Sequence, residues 1–278
     1  MLVESTDDVK VALHDLGGTG QPILLVHANG FCARTWSPVA DVLADRFPCW
    51  ALDLRGHGDA VAPDDVPLGW ERLGADVLAV VDHLAATGEQ PSVAAGHSMG
   101  GAALLMAELA RPGTFTRLYC YEPIVFPEIP DRPDGANPLA AGARRRRDRF
   151  VSREDAIANY SSKPPFDVLH PGALAAYVDH GFRAQPDGSV ELKCRPETEA
   201  RNFELGANHR TFDRLPEIAS QVTVVAGERD SGQGPGIVAP MIAERLPHST
   251  FTVEPGLGHF GPLEDPDRIA EAIATTLT

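Results

Sequence analysis

An α/β architecture, with a mostly parallel sheet covered by helices, is the fold class that this sequence predicts. Three observations point to it: short, nearly continuous apolar runs, helix-forming stretches that alternate with them, and a glycine-flanked strand-to-helix turn at Gly96-His97-Ser98-Met99-Gly100-Gly101. Continuous apolar runs suit strands buried on both faces, as parallel strands between two helical layers are. In chain order these runs are Pro22–His27, Cys49–Leu54, Ser92–Gly96, Arg117–Tyr121, Gln221–Ala226 and Ser249–Val253. The helical stretches between and after them are Trp36–Asp45, Leu73–Leu84, Met99–Ala110, Ile237–Arg245 and Asp267–Leu277. In the first of these, Ser37 reads as an N-cap and Pro38 as the first helical residue. Leu73–Leu84 keeps apolar residues at helical spacing, and Met99–Ala110 is rich in Ala, Leu and Met, which are strong helix formers. Strand and helix in alternation imply a parallel sheet with helices on both faces.

The alternation breaks between Ile124 and about Leu215. That stretch is polar, proline-rich at its ends and helical in pattern, with one helix over Leu174–His180. It divides the chain into a core, residues 1–123 and 216–278, and a helical cap insert, residues 124–215, placed over one end of the sheet.

The composition narrows the functional classes. A chain of 278 residues buries about 75% of its unfolded surface and needs no disulfide or metal to hold a core. A formal charge of −15 disfavours nucleic acid and anionic membranes as partners. Cys32, Cys49, Cys120 and Cys194 are scattered without metal-site spacing and read as reduced, packed thiols. Met1–Lys10 lacks the basic start and apolar run of a signal peptide, and no apolar stretch approaches the roughly 20 residues that span a bilayer. The default expectation is a cytoplasmic protein acting on a small molecule, with neither nucleic acid nor membrane as partner.

The chemistry is carried by residues at the predicted strand ends. Ser98 sits at the apex of the strand-to-helix turn, where glycines two residues before and after allow close backbone approach. Its hydroxyl then projects above the sheet, and the N–H of Met99, at a helix start, faces any developing oxyanion. A second donor is expected from the loop His27-Ala28-Asn29-Gly30-Phe31, with the N–H of Asn29 as the candidate. A serine hydroxyl needs a base, and the base needs an acid to orient it. His259, in Gly258-His259-Phe260 after the last strand, is the candidate base. Asp230, in Gly227-Glu228-Arg229-Asp230 after the fifth strand, is the candidate acid, and Glu122, which ends the strand before the insert, is the alternative. The other histidines, His27, His57 and His97 among them, read as structural.

These residues resemble the α/β-hydrolase superfamily. The matching pieces are His27–Phe31, Asp53-Leu54-Arg55-Gly56-His57-Gly58, Gly96–Gly101, Gly227–Asp230 and Gly258-His259. They cover residues 10–123 and 216–278, and Ala28 stands where the family usually has glycine. The resemblance implies the α/β-hydrolase fold: an eight-stranded, mostly parallel sheet with a helical lid, a Ser–Asp–His triad and no metal or organic cofactor. Serine at position 98, rather than aspartate, disfavours epoxide hydrolysis and dehalogenation. Esterases, lactonases, carbon–carbon bond hydrolases and cofactor-free haloperoxidase or perhydrolase-like enzymes stay open, as does a non-catalytic ligand-binding protein of the same fold.

The run Arg144-Arg145-Arg146-Arg147-Asp148-Arg149 reads as a helical, solvated face paired with acids such as Glu154 and Asp155. One of its arginines is a candidate for gripping a substrate carboxylate. Phe126, Phe150, Tyr160, Phe166 and Phe182 are candidates for lining an apolar pocket.

Overall fold

The computed structural model describes residues 1–127, 137–229, 232 and 234–277. The chain opens with β1 (Leu2–Glu4) and β2 (Lys10–Asp15), an antiparallel pair. Then follow β3 (Ile23–Val26), a 3₁₀ turn at Ala33–Trp36, α1 (Ser37–Leu43), β4 (Cys49–Asp53), α2 (Glu71–Thr87), β5 (Val93–His97), α3 (Met99–Ala110) and β6 (Arg117–Tyr121). Beyond β6 come α4 (Pro138–Arg144), β7 (Arg149–Phe150), α5 (Arg153–Ser161), α6 (Pro171–Gly181), β8 (Phe182–Ala184), β9 (Val190–Leu192), α7 (Pro196–Leu205) and a short α8 (Thr211–Arg214). The chain returns with β10 (Gln221–Gly227), α9 (Gly234–Arg245), β11 (Ser249–Glu254), a short α10 (Gly261–Glu264) and α11 (Pro266–Leu277).

Eight strands form one sheet in the order β1-β2-β4-β3-β5-β6-β10-β11. The pairings of β1 with β2 and of β2 with β4 are antiparallel, and the rest are parallel. Each of the six apolar runs is a strand of this sheet, within one residue at either end. The reason they are apolar throughout is two-sided burial. Leu24 and Val26 of β3 join one cluster with Val77 and Val81 of α2 and Ala103 of α3. Ile23 and Leu25 join the other, with Val39 of α1 and Ile269 and Ile273 of α11. In α11 the buried positions Ile269, Ala270, Ile273, Ala274 and Leu277 recur at helical spacing, which is why a single stripe fixes it to the sheet.

The structure adds two strands that the apolar pattern missed and corrects three local expectations. First, β1 and β2 carry too little pattern to be read from sequence: β1 has three residues, of which Val3 is buried. Second, Ser37 lies inside α1; Trp36 is the N-cap and no side chain caps the helix. Third, the segment between β6 and β10 contains a three-stranded antiparallel sheet, β7-β9-β8, besides its helices. Strands of two or three residues show no usable period. Fourth, α4 ends at Arg144, so the rest of the arginine run is not helical. Arg144 pairs with Glu197 and Glu204, Arg147 with Asp155 and Arg149 with Asp187, all near the surface. Such pairs contribute little to stability. Arg146, with its side chain 13% exposed, is the least exposed member.

All four cysteines are free and buried. Burial pushes the Cys49 and Cys120 thiols up to about 12, so neither is a nucleophile near neutral pH. Among the described residues, no helix is long and apolar enough to cross a membrane.

Candidate active site

The carboxyl ends of β3, β5, β6 and β10 lie side by side in the sheet, and the loops leaving them build the site. The turn after β5 is the sharpest. Ser98 has φ +57° and ψ −114°, a conformation costly for a residue with a Cβ and one that concentrates at functional sites. Its backbone is fixed on both sides. The Ser98 N–H donates to the Tyr121 carbonyl at 2.9 Å, and the Ser98 carbonyl accepts from Ala102 at 3.1 Å and Ile124 at 3.2 Å. The strain is therefore over-determined by β6 and by the first turn of α3.

Glycine at 100 is required by contact rather than by φ. A Cβ there would lie 2.2 Å from the Val26 carbonyl oxygen and 2.7 Å from that of His27. This close approach brings the start of α3 against the end of β3. Gly100→Ala is expected to destabilise the protein by about 3 kcal/mol, the upper range for overpacking against a rigid wall. A urea titration of the variant reads this as a lower midpoint with an unchanged slope.

His259 reaches the site from the loop after β11. Its Nε2 lies 3.2 Å from Ser98 Oγ, and its Nδ1 lies 2.6 Å from Glu122 Oε2. A carboxylate can only accept, so Nδ1 carries the proton and Nε2 presents its lone pair to the serine hydroxyl. The loop is tied from below: His97 Nε2 donates to the His259 carbonyl at 2.7 Å, and the Tyr121 hydroxyl donates to the Gly258 carbonyl at 2.8 Å. The Gly258 N–H reaches Glu264 at 3.2 Å.

Glu122 follows β6 directly, with φ +42°, and its side chain is fully buried. Its own N–H donates to the Val225 carbonyl at 2.8 Å. Its Oε1 accepts the Gly227 N–H at 2.8 Å, leaving Oε2 for the imidazole. Asp230, the acid favoured from sequence, lies outside the described residues. Among the described residues, the carboxylate on His259 Nδ1 is that of the alternative, Glu122.

The loop after β3 is shaped by two neutral histidines. His27 Nδ1 donates to the Ala28 carbonyl at 2.7 Å, and its Nε2 accepts the Leu54 N–H at 3.1 Å. His57 Nδ1 donates to the Arg55 carbonyl at 3.0 Å, and its Nε2 accepts the Gly30 N–H at 3.1 Å. Asp53 accepts the N–H groups of Ala33 and Asp59 at 2.6 and 2.8 Å, which closes the turn through Gly58. These interactions leave the N–H groups of Asn29 and Met99 without a protein acceptor among the described residues.

His14, Asp53 and Asp59 bring possible metal-binding atoms within 4.8 Å of one another. Asp53 is already saturated by the two N–H groups and by His14 at 2.7 Å, and Asp59 pairs with Lys193 at 2.5 Å. The group is a satisfied hydrogen-bond cluster.

Burial holds the His57 imidazole down at about 3, and it also lowers His27 and sends His97 well below the ordinary value of 6.5. The sign follows from linkage. Above about pH 6.5 these rings are neutral in both states and stability is intact. Below it the unfolded chain takes up protons that the folded chain refuses, so stability falls toward pH 3. His57 alone gives a slope of up to about 1.4 kcal/mol per pH unit near pH 5, and His27 and His97 add in the same direction. Urea titrations at pH 7.5 and 5.0 check it.

Of the pocket candidates, Phe150, Tyr160, Phe166 and Phe182 join Phe31 and Tyr177 in one aromatic cluster, with Phe260 packed against it. Phe166 stacks on Phe260 at 5.9 Å, next to His259. Phe126 packs instead against the core cluster beneath α2 and α3.

A doubly covered α/β sheet with a serine on a strained strand-to-helix turn and a histidine on its hydroxyl defines the α/β-hydrolase class. The chain belongs to the alpha/beta hydrolase family, whose model matches residues 23–272. It is 34% identical over 110 residues to protein phosphatase methylesterase 1 of Mus musculus, a match covering 36% of this chain and 28% of the methylesterase. It is 24% identical over 288 residues to the Mycobacterium tuberculosis protein BpoC, named as a non-heme bromoperoxidase, covering 94% of this chain and 95% of that one. Its fold is similar to that of a thermophilic esterase from Thermogutta terrifontis, with a TM-score of 0.72, 23% identity, and coverage of 100% of this chain and 99% of the esterase.

Proposed function

We propose that the chain is a serine hydrolase that cleaves a carboxylic ester or lactone of a small molecule through an acyl-enzyme. The observation that carries this reading is the line from Ser98 Oγ to His259 Nε2, 3.2 Å, and from His259 Nδ1 to Glu122 Oε2, 2.6 Å. In the proposed reaction Ser98 Oγ attacks the carbonyl carbon as its proton passes to His259 Nε2. The N–H groups of Asn29 and Met99 hold the oxyanion, each worth roughly 3 kcal/mol in the transition state. His259 returns the proton to the leaving alkoxide. Water then attacks the acyl carbon with His259 as base, and Ser98 leaves as the alcohol. Glu122 is proposed as the acid that fixes the tautomer and balances the imidazolium, in the role that the sequence pattern gave to Asp230. Residues 124–215 are proposed as the cap that encloses the substrate.

The test is covalent labelling. A fluorophosphonate probe is expected to add to Ser98, located by peptide mass, and the protein is expected to turn over p-nitrophenyl acetate or octanoate. Absence of label on Ser98 in folded protein removes the reading. The similarity to the bromoperoxidase along nearly the whole chain favours one second reading, in which hydrogen peroxide replaces water as the attacker of the acyl-enzyme and releases a peracid. Peroxide-dependent bromination of a phenol, in acetate and with bromide present, distinguishes it.

A further inference from the structure

The side chain of Asn29 is held by α7. Its Nδ2 donates to the Glu199 carbonyl at 3.0 Å, and its Oδ1 accepts from Asn202 Nδ2 at 3.2 Å. Glu199 and Asn202 lie three residues apart and so share one face of α7, and both are buried. The next residue of the loop is gripped as well. Gly30 has φ +79°, and a Cβ on it would lie 2.7 Å from Glu199 Oε1. The Glu199 carboxylate is in turn ion-paired with Arg146. Arg146 also donates to the hydroxyls of Tyr160 on α5 and Tyr177 on α6, at 3.0 and 2.6 Å. Asn202 is anchored by its own backbone, whose carbonyl accepts from Trp70 Nε1 at 3.2 Å.

The Asn29 side chain has no chemical part in the proposed reaction; its backbone N–H does. The peptide plane to which the N–H belongs is held at the Ala28 carbonyl by His27 Nδ1 and the Phe31 N–H; the two side-chain bonds, and a carboxylate against the following glycine, hold it at the Asn29 end. An oxyanion donor acts only if it is aimed before the charge develops, and an error of about 1 Å at a reacting centre costs on the order of 100-fold. We infer that α7, through Asn202 and Glu199, is a positioning element for the oxyanion hole. In this arrangement Arg146 locks α7 to α5 and α6, so the donor is aimed only when the four lid segments are assembled. A buried ion pair is a poor way to gain stability; a fixed geometry is what it supplies here. The inference rests on the serine-hydrolase reading.

The experiment compares Asn202→Ala, Asn29→Ala and the double variant with the wild-type chain. All three keep the Asn29 N–H; Asn202→Ala removes one of its two side-chain ties to α7, and Asn29→Ala removes both. The expected result is a fall in kcat of about 10- to 100-fold, with KM for p-nitrophenyl acetate changed less than about twofold. The affinity for a trifluoromethyl ketone, whose tetrahedral adduct puts an oxyanion in the hole, falls by the same factor. The double variant is no worse than Asn29→Ala, because the tie that Asn202 makes is already lost there. A merely structural role lowers the melting temperature without moving inhibitor affinity and kcat together. Should Asn202→Ala not fold, Asn29→Ala is read alone. Wild-type kcat and inhibitor affinity in a folded variant, or a change confined to KM, overturn the inference while Ser98 labelling leaves the hydrolase reading standing. Absence of Ser98 labelling in the wild-type protein overturns both.

Discussion

Ser98→Ala is expected to lower kcat by about 10⁶-fold and to abolish labelling by a fluorophosphonate. The magnitude is that of removing the nucleophile from an acyl-transfer site in which hydroxyl and imidazole act as one unit. What survives is the small catalysis due to binding and the two oxyanion donors. The fold should be untouched. Among the described residues the Ser98 side chain makes one hydrogen bond, to His259, whereas its strained backbone is held by Tyr121, Ala102 and Ile124. Alanine keeps every one of those backbone ties. A melting temperature within a degree or two of wild type, measured beside steady-state ester turnover, separates loss of chemistry from loss of structure. Retained labelling at another residue would show that the nucleophile lies elsewhere.

Glu122→Gln is expected to cost about 10³- to 10⁴-fold in kcat, the range seen when an orienting acid becomes an amide. The direction follows from the second partner of Glu122. The Gly227 N–H requires an oxygen at the Oε1 position. The glutamine amide must therefore turn its NH₂ toward His259 Nδ1, where the carboxylate oxygen stood. A donor there forces the proton onto Nε2, and an Nε2–H cannot accept from the Ser98 hydroxyl. Asp230→Asn is made beside it as the comparison, and the Glu122 reading requires that it cost less. Both variants are assayed with one substrate from pH 6 to 9. The reverse ranking would return the acid's role to Asp230.

The sheet was legible because two-sided burial writes itself into consecutive apolar residues. Ile23 to Val26 and Val222 to Ala226 are read directly, since each side chain meets one helical layer or the other. The nucleophile and base were legible because each sits at a strand end among glycines that the local geometry demands. The acid was harder. Tyr121-Glu122-Pro123 carries no glycine signature, and its meaning depends on which strand neighbours which: β6 pairs with both β5 and β10. Asp230, after β10, lies outside the described residues; among them, the carboxylate on His259 comes from just after β6. The tether of Asn29 was not legible at all. Asn202 is 173 residues away in sequence, in a helix whose charged surface reads as ordinary lid. Nor did the arginine run disclose which member is least exposed. Arg146 differs from its neighbours only by where α4 ends.

The backbone ties of Ser98 and Glu122 have one more consequence. Both residues hang from adjacent strands and are stitched to carbonyls of the next strand along, Tyr121 and Val225. They form a chassis that makes no use of α4, α5 or α6. The geometry of the serine and its imidazole is therefore set independently of those helices. The proposed oxyanion donor is the opposite case: α7 grips Asn29, and Arg146 ties α7 in turn to Tyr160 and Tyr177, so that one amide inherits its aim from residues remote in sequence.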